Sequence, residues 1–390
     1  MPILFLIVVI DLIGFGIIIP LLPFYAEYFQ ATPETVGLMM ATYSFTQFLA
    51  APFWGQLSDR IGRKPVLIFS MAGAIAAYIW LGFAENIWML FAARAVGGAM
   101  AGNISAAFAY VADITTHENR AKGMGLIGAA FGIGFISGPA IGGILAGSDP
   151  VNADFLTPAL AAAALSTIAL ILIFGFLKES LSLEIRQRLA LKPPRNPLSM
   201  IKRTIKIPYF GLLLTLIFLS TLVFAGLEAT FAMWSRRQFG WGPEQNGYLF
   251  AFVGLLSAII QGGLIGRLTQ RFGENGLIIQ GAISLSIGIL LIPFSSNILI
   301  LIIAMSIAGY GFSVISPALN SLISFKSGEE EMGEIMGVTR SISTMARFIG
   351  PAWAGFLFGA IGINWPYFGG SLIMLIVLVL SIKNLKKMNP

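Results

Sequence analysis

The chain has 390 residues, 57% of them hydrophobic and only 11% charged, with no cysteine and a single histidine. Soluble domains carry about 25% charged residues, so the composition excludes a chain bathed only in water. The missing cysteines exclude disulfides and thiolate metal sites, and the lone His117 leaves little room for histidine chemistry.

A helix needs about 20 mainly apolar residues to cross the ~30 Å hydrocarbon layer, and inside lipid every backbone amide must find a partner within the protein. Twelve such runs follow one another, at about 3–24, 35–57, 65–84, 87–112, 122–147, 157–177, 208–233, 246–266, 276–294, 298–324, 334–359 and 365–382. The fold class predicted is an all-α membrane protein. The first run begins almost at Met1 with no small-residue cleavage site after it, and reads as a retained span rather than a signal peptide.

That first span carries Asp11, followed by Gly14 and Gly16, and ends at Pro20-Leu21-Leu22-Pro23. The loop after span 2 reads Gly55-Gln56-Leu57-Ser58-Asp59-Arg60-Ile61-Gly62-Arg63-Lys64-Pro65. Gly55 suits a close approach of helix ends, Gly62 a positive φ in the turn, and Pro65 the first turn of span 3. An ion pair of Asp59 or Arg63 across two helical bundles would bias a conformational equilibrium. Asp113, at the end of span 4, is a third member of that latch, and plain anchoring of the loop by its positive charges is the alternative. Arg94 lies inside span 4, where a guanidinium is expensive and normally faces a cavity or a partner. Asp11 and Arg94 together are the candidate proton site, because burial favours the neutral carboxyl and a nearby cation the charged one. The alternative is a static pair that orients two helices. Span 5 carries Gly134, Gly138-Pro139 and Gly142-Gly143, a set suited to close packing and a bend. His117 falls in the short loop after span 4 and reads as a solvated residue.

The longest polar stretch, Lys178 to Lys206, contains Pro193, Pro194 and Pro197 and divides six spans from six. It reads as a linker, with a short surface helix around Leu183 to Leu191. The organisation predicted is therefore a bundle at 1–177, a linker at 178–207 and a second bundle at 208–390. The halves match at an offset of about 211 residues: Gly55–Gly62 against Gly266–Gly273, Gly98 against Gly309, and Gly138-Pro139 against Gly350-Pro351. A repeated six-helix unit marks transporters that move two bundles around a central site, and no G-x-x-x-x-G-K-[S/T] provides for ATP. In the second half Glu228 lies in span 7, and Arg340 and Arg347 share one face of span 11. Glu228 and Arg347 either pair with each other or present charge to a substrate. Tyr43, Gln47, Asn103, Gln261, Tyr310 and Asn320 are polar candidates for a cavity wall, each equally able to form an interhelical hydrogen bond.

With both termini placed in the cytoplasm, the inner loops and tail hold 19 of the 24 Lys and Arg and the outer loops only Arg236 and Arg237. This is the distribution expected at the inner membrane of a bacterium, and it argues against nucleic acid as the partner.

The loop from Gly55 to Lys64 resembles the signature of the major facilitator superfamily, Leu90 to Gly98 its span-4 arginine motif, and Gly134 to Gly143 the motif that marks exporters within it. From Asp11 to Gly143, with Val111-Ala112-Asp113 and Glu118-Asn119-Arg120, the chain is similar to the tetracycline-antiporter-like branch of twelve-span proton/drug antiporters. The likeness implies two pseudo-symmetric six-helix bundles around a cavity lined by spans 1, 4, 7 and 10. It also implies export of small amphipathic organic compounds by proton antiport and alternating access, by a monomer in the lipid bilayer with no cofactor. In that scheme Asp11 and Arg94 handle the proton, and Asp59, Arg60, Arg63 and Asp113, with Gly55 and Gly62, hold the outward-open state. Ala77-Tyr78 stands where tetracycline carriers have an Asp before the aromatic residue, and span 9 has no acid, which leaves Asp11 more of the proton work. The rival readings are an exporter or flippase of anionic metabolites or lysolipids that uses Arg340 and Arg347, and a sensor or scaffold that transports nothing. No constellation suggests an enzyme.

Overall fold

The computed structural model describes residues 1–115, 120–182, 184, 186, 202–204, 207–326 and 332–385. His117, the linker prolines and, apart from Glu184 and Arg186, the predicted linker helix beyond Ser182 lie outside the described residues.

The described chain is helical, and its rods follow the predicted spans in order. They are α1 (Pro2–Tyr28), α2 (Pro33–Ile61), α3 (Arg63–Gly82), α4 (Ile87–Ile114), α5 (Arg120–Ala146), α6 (Leu156–Phe176) and α7 (Pro208–Phe239). After them come α8 (243–272), α9 (274–294), α10 (Ile298–Lys326), α11 (Met332–Ala360) and α12 (Trp365–Leu385). Nine stretches of the described residues are long and apolar enough to cross a membrane. One of them, Pro243–Phe294, holds both α8 and α9. The span-length helices α2 and α11 fall outside that set; each carries a band of hydroxyl, amide or charged side chains, from Thr42 to Gln47 and from Thr339 to Arg347.

Large apolar side chains cover the outside: Ile171 and Phe174 of α6 and Leu372 and Ile376 of α12 are exposed, which suits lipid as the solvent. Inward from these, Leu4, Val8 and Leu12 of α1 join Val66 and Met71 of α3, Ala106 of α4, Ala130 of α5 and Ala169 of α6 in one buried cluster.

The internal repeat is legible in the backbone. Gly62 turns the chain from α2 into α3 at φ 107° and ψ 166°. Its counterpart Gly273 turns α8 into α9 at φ 67° and ψ 166°. A β-carbon is disfavoured at either angle, so glycine makes both corners. At Gly273 the corner is tight enough that helix runs on both sides with no intervening loop. Ahead of it α8 contains one π-helical turn, Ile260–Leu264.

The chain forms two compact units. The first holds residues 1–31, 42–195 and 235–251, and the second 32–41, 196–234 and 252–390. The start of α2 thus packs with the second unit, while the end of α7 and the start of α8 pack with the first.

Candidate functional site

In the first unit the site is built by a break in α4. Gly98 lets α4 lie against the backbone of α2 at Tyr43, where a β-carbon would meet the Tyr43 carbonyl and the Thr46 hydroxyl. Helix geometry then lapses between Ala99 and Asn103. The carbonyls released there are taken up by neighbours: Trp54 Nε1 donates to Ala99 O at 2.6 Å, and Ser70 Oγ donates to Met100 O. Ser70 Oγ in turn accepts from Asn103 N at 2.9 Å. Every group freed by the break that is named here has a partner, as lipid demands.

The two halves of α4 carry the two charged-site residues to different partners. Beyond the break, Asn103 Nδ2 donates to Asp11 Oδ2 across to α1. Before it, the Arg94 guanidinium lies over the Tyr43 ring, 4.4 Å from the centroid. Asp11 and Arg94 are 7% and 6% exposed, so both sit inside the unit. No ion pair joins them, which disfavours the static pair; Asp11 is held by a neutral amide and Arg94 by an aromatic face. Arg94 Nε has no hydrogen-bond partner among the described residues. Phe15 packs against Tyr43, tilted, at 5.3 Å between centroids.

At the end of the helices that carries Met1, Arg63 is the hub of the predicted latch. Its Nε donates to Asp113 Oδ2 at 3.0 Å and its Nη1 to Asp59 Oδ1 at 2.6 Å and to Ser58 Oγ at 3.0 Å. These partners come from α2 and α4 of the first half, so the ion pairs found do not run between bundles as anticipated. Arg60 is exposed and stands outside the cluster. A β-carbon on Gly55 would meet nothing within 4 Å, so no close helix approach explains that glycine.

Sequence reasoning missed Glu179, just past α6. Its carboxylate accepts from Arg63 N at 2.9 Å and Lys64 N at 3.0 Å, which caps the first turn of α3, and it pairs with Arg186 at 3.3 Å. Ser180 Oγ donates to Asp113 Oδ2 at 2.8 Å. The start of the predicted linker is therefore docked rather than solvated. A Glu-Ser pair bordering a span was the available signal, but its partner lies 116 residues away.

The glycines of α5 divide between two neighbours. Gly134, Gly138 and Gly142 face α1, where added β-carbons would strike Leu12, Gly16 and Ile17. Gly143 faces the start of α8 at Pro243 and Gly247. Pro139 lies inside α5 without ending it, and its carbonyl backs onto Gly247. In the second unit α11 repeats the arrangement: Gly350 lies against Leu222 and Gly226 of α7, and the Pro351 carbonyl backs onto Gly37 of α2.

Elsewhere in the second unit Arg347 Nη1 pairs with Glu228 Oε2 at 3.6 Å, which favours the paired reading of these two. Tyr310 donates to Gln280 of α9 at 3.2 Å, and Asn320 bonds back to Ser316 of its own helix. Gln261 is exposed within the π turn, Arg340 is exposed on α11, and Gln47 is partly buried on α2.

Residues 4–351 and, overlapping them, 264–389 match the model of the Major Facilitator Superfamily. The chain is 31% identical over 364 residues to the tetracycline resistance protein, class C, of Escherichia coli, covering 92% of this chain and 89% of the relative. It is 29% identical over 379 residues to multidrug resistance protein 2 of Bacillus subtilis, covering 97% and 93%. Among solved structures, the human organic anion transporter MFSD10 (TETRAN) aligns with TM-score 0.74 and 26% identity over 97% of this chain and 98% of its own. A POT family transporter in complex with 5-aminolevulinic acid aligns with TM-score 0.77 at 14% identity, covering 98% and 95%, a likeness of fold.

Proposed function

The chain belongs to the major facilitator superfamily, a family of membrane transporters, and we propose that this member exports small amphipathic organic compounds in exchange for protons. The observation that carries the proposal is the likeness, over nearly the whole chain, to tetracycline and multidrug resistance proteins, together with a buried carboxyl at Asp11. Asp11 takes and gives the proton. Asn103 orients its carboxyl in either state, because an amide accepts as well as donates. Arg94, held by Tyr43 rather than by an acid, is free to receive Asp11 or a substrate oxygen when the helices shift. Alternating access then presents these groups to each side in turn. The protein works as a monomer, with its termini in the cytoplasm of a bacterial cell and the Arg63 cluster at the inner mouth.

The test is a proteoliposome with a pH dye inside and an imposed gradient, to which cationic, neutral and anionic amphiphiles are added, with Asp11→Asn run alongside. Compound-dependent proton movement in the wild type alone is expected. Equal movement in Asp11→Asn would remove that residue from the proton path.

A second reading, transport of organic anions, draws on the unpaired Arg94 Nε and on the MFSD10 likeness. It moves the anion contact from Arg347, which is paired, to Arg94. Under it the anionic compounds alone drive flux, and Arg94→Gln abolishes that flux.

A further inference from the structure

At the end of the first unit opposite the Arg63 cluster, α1, the α3–α4 turn and the α5–α6 connection border an open hollow of about 560 Å³. Drug-sized ligands occupy sites of roughly 300–1,000 Å³. Four aromatic rings shape it. Tyr25 stacks on Phe155 at 4.3 Å between centroids and on Phe29 at 5.3 Å, and Tyr28 meets Phe155 edge-on at 6.1 Å. The Tyr25 hydroxyl, donating to Ala84 O at 3.0 Å, ties the rings to the α3–α4 turn. Tyr28 is 61% exposed, so one ring of the group remains open to a visitor.

Two carboxylates, Glu85 and Asp154, also line it, and none of its described lining residues is basic. Asp154 caps α6 by accepting from Leu156 N at 2.9 Å and Thr157 N at 3.0 Å. Burial works against its charge, but these bonds and one from the Thr157 hydroxyl outweigh it and hold its pKa below the usual carboxylate range. The neighbouring Glu27 is already matched by Arg236 and Arg237, at 3.0 and 2.8 Å. The charge left in the hollow is negative. Rings of a membrane-surface belt sit at the level of the headgroups; here they also pack on one another around a space with acids on its wall. Aromatic faces beside carboxylates attract cations, organic cations above all.

We propose that this hollow is a second binding site, for aromatic organic cations of drug size, separate from the Asp11–Arg94 centre. On the orientation proposed above it opens to the side toward which compounds are exported, where it holds a cation before release.

The test is equilibrium dialysis of tetraphenylphosphonium against the full chain in nanodiscs of zwitterionic lipid, with empty discs subtracted. A saturable component is expected that survives Asp11→Asn and weakens at least fivefold in both Glu85→Gln and Tyr28→Ala. The wild type should bind tetraphenylborate, of nearly the same shape and opposite charge, at least tenfold more weakly. Glu85 and Tyr28 are exposed, so both variants keep the fold. Equal binding of the two ions, loss of the component in Asp11→Asn, or indifference to both outer substitutions would each overturn the proposal. Because Asp11→Asn is the arm that abolishes antiport, binding that persists there separates this site from the transport reading.

Discussion

Asp11 is held by an amide and Arg94 by an aromatic ring, so the two charges of the proton site meet neutral partners rather than each other. Asn103→Ala strands a buried carboxyl oxygen, a loss worth about 1–3 kcal/mol. Thermal unfolding in detergent should fall accordingly, and proton-coupled transport should drop at least tenfold. Arg63 sits differently, 7% exposed with acids on two sides. Arg63→Ala leaves Asp113 partly buried without its cation, at a cost of about 3 kcal/mol. Glu179→Gln keeps an acceptor for only one of the two α3 amides and loses the charge, at a cost of about 2 kcal/mol. If thermal unfolding ranks these two variants the other way, Arg63 is not the hub. The role of Arg63 could be read from the loop motif. That of Glu179 could not, because nothing local marks an acid whose donors lie 116 residues upstream.

Among the helices, glycine content alone did not reveal which positions are contacts. Gly128 and Gly132 of α5 face open space, whereas Gly134, Gly138 and Gly142 are filled by α1. Spacing of four residues separates the two classes, since it keeps a stripe on one helix face. Gly138→Ala drives a β-carbon into the Gly16 backbone and is expected to abolish transport, while Gly132→Ala should leave initial rates within twofold. The α5–α6 connection adds a pH dependence. Asp149 is held below the usual carboxylate pKa by the Asn152 side chain and then by Val151 N–H, as Asp154 is by its cap. A depressed folded pKa gives stability that is present above the unfolded value and lost as pH falls through the folded one. Amide exchange across 148–157 should therefore rise only below the ordinary carboxylate range, and Asp154→Asn should flatten that rise. The break in α4 was the element least legible in the sequence, since Met100-Ala101-Gly102 contains no proline to announce it.

At the scale of the whole chain, the repeat does more than duplicate a bundle. The Gly-Pro helices α5 and α11 each present one face to a helix of their own half, α1 or α7, and a carbonyl to the other half, at Gly247 or Gly37. If both carbonyl contacts form and part in one transition, Gly37→Val and Gly247→Val should each slow efflux at least tenfold. The double variant should then lie near the slower single one rather than at the product, because coupled sites are not additive. A multiplied defect would mean that the two contacts move independently. This symmetry was readable from the 211-residue offset, but its crossing contacts were not, since they join residues far apart in the chain.

The broken helix also bears on how the chain is made. The carbonyl of Ala99 takes its hydrogen bond from Trp54, and that of Met100 takes one from Ser70 beside the 2.7 Å bond from Gly102 N; both side chains precede α4 in sequence. A chain threaded into the bilayer from its amino end has synthesised α2 and α3 before α4 arrives. The interruption therefore meets its partners as it enters in this order, whereas a permuted gene that began at α4 would deliver the Ala99 carbonyl to lipid unmatched.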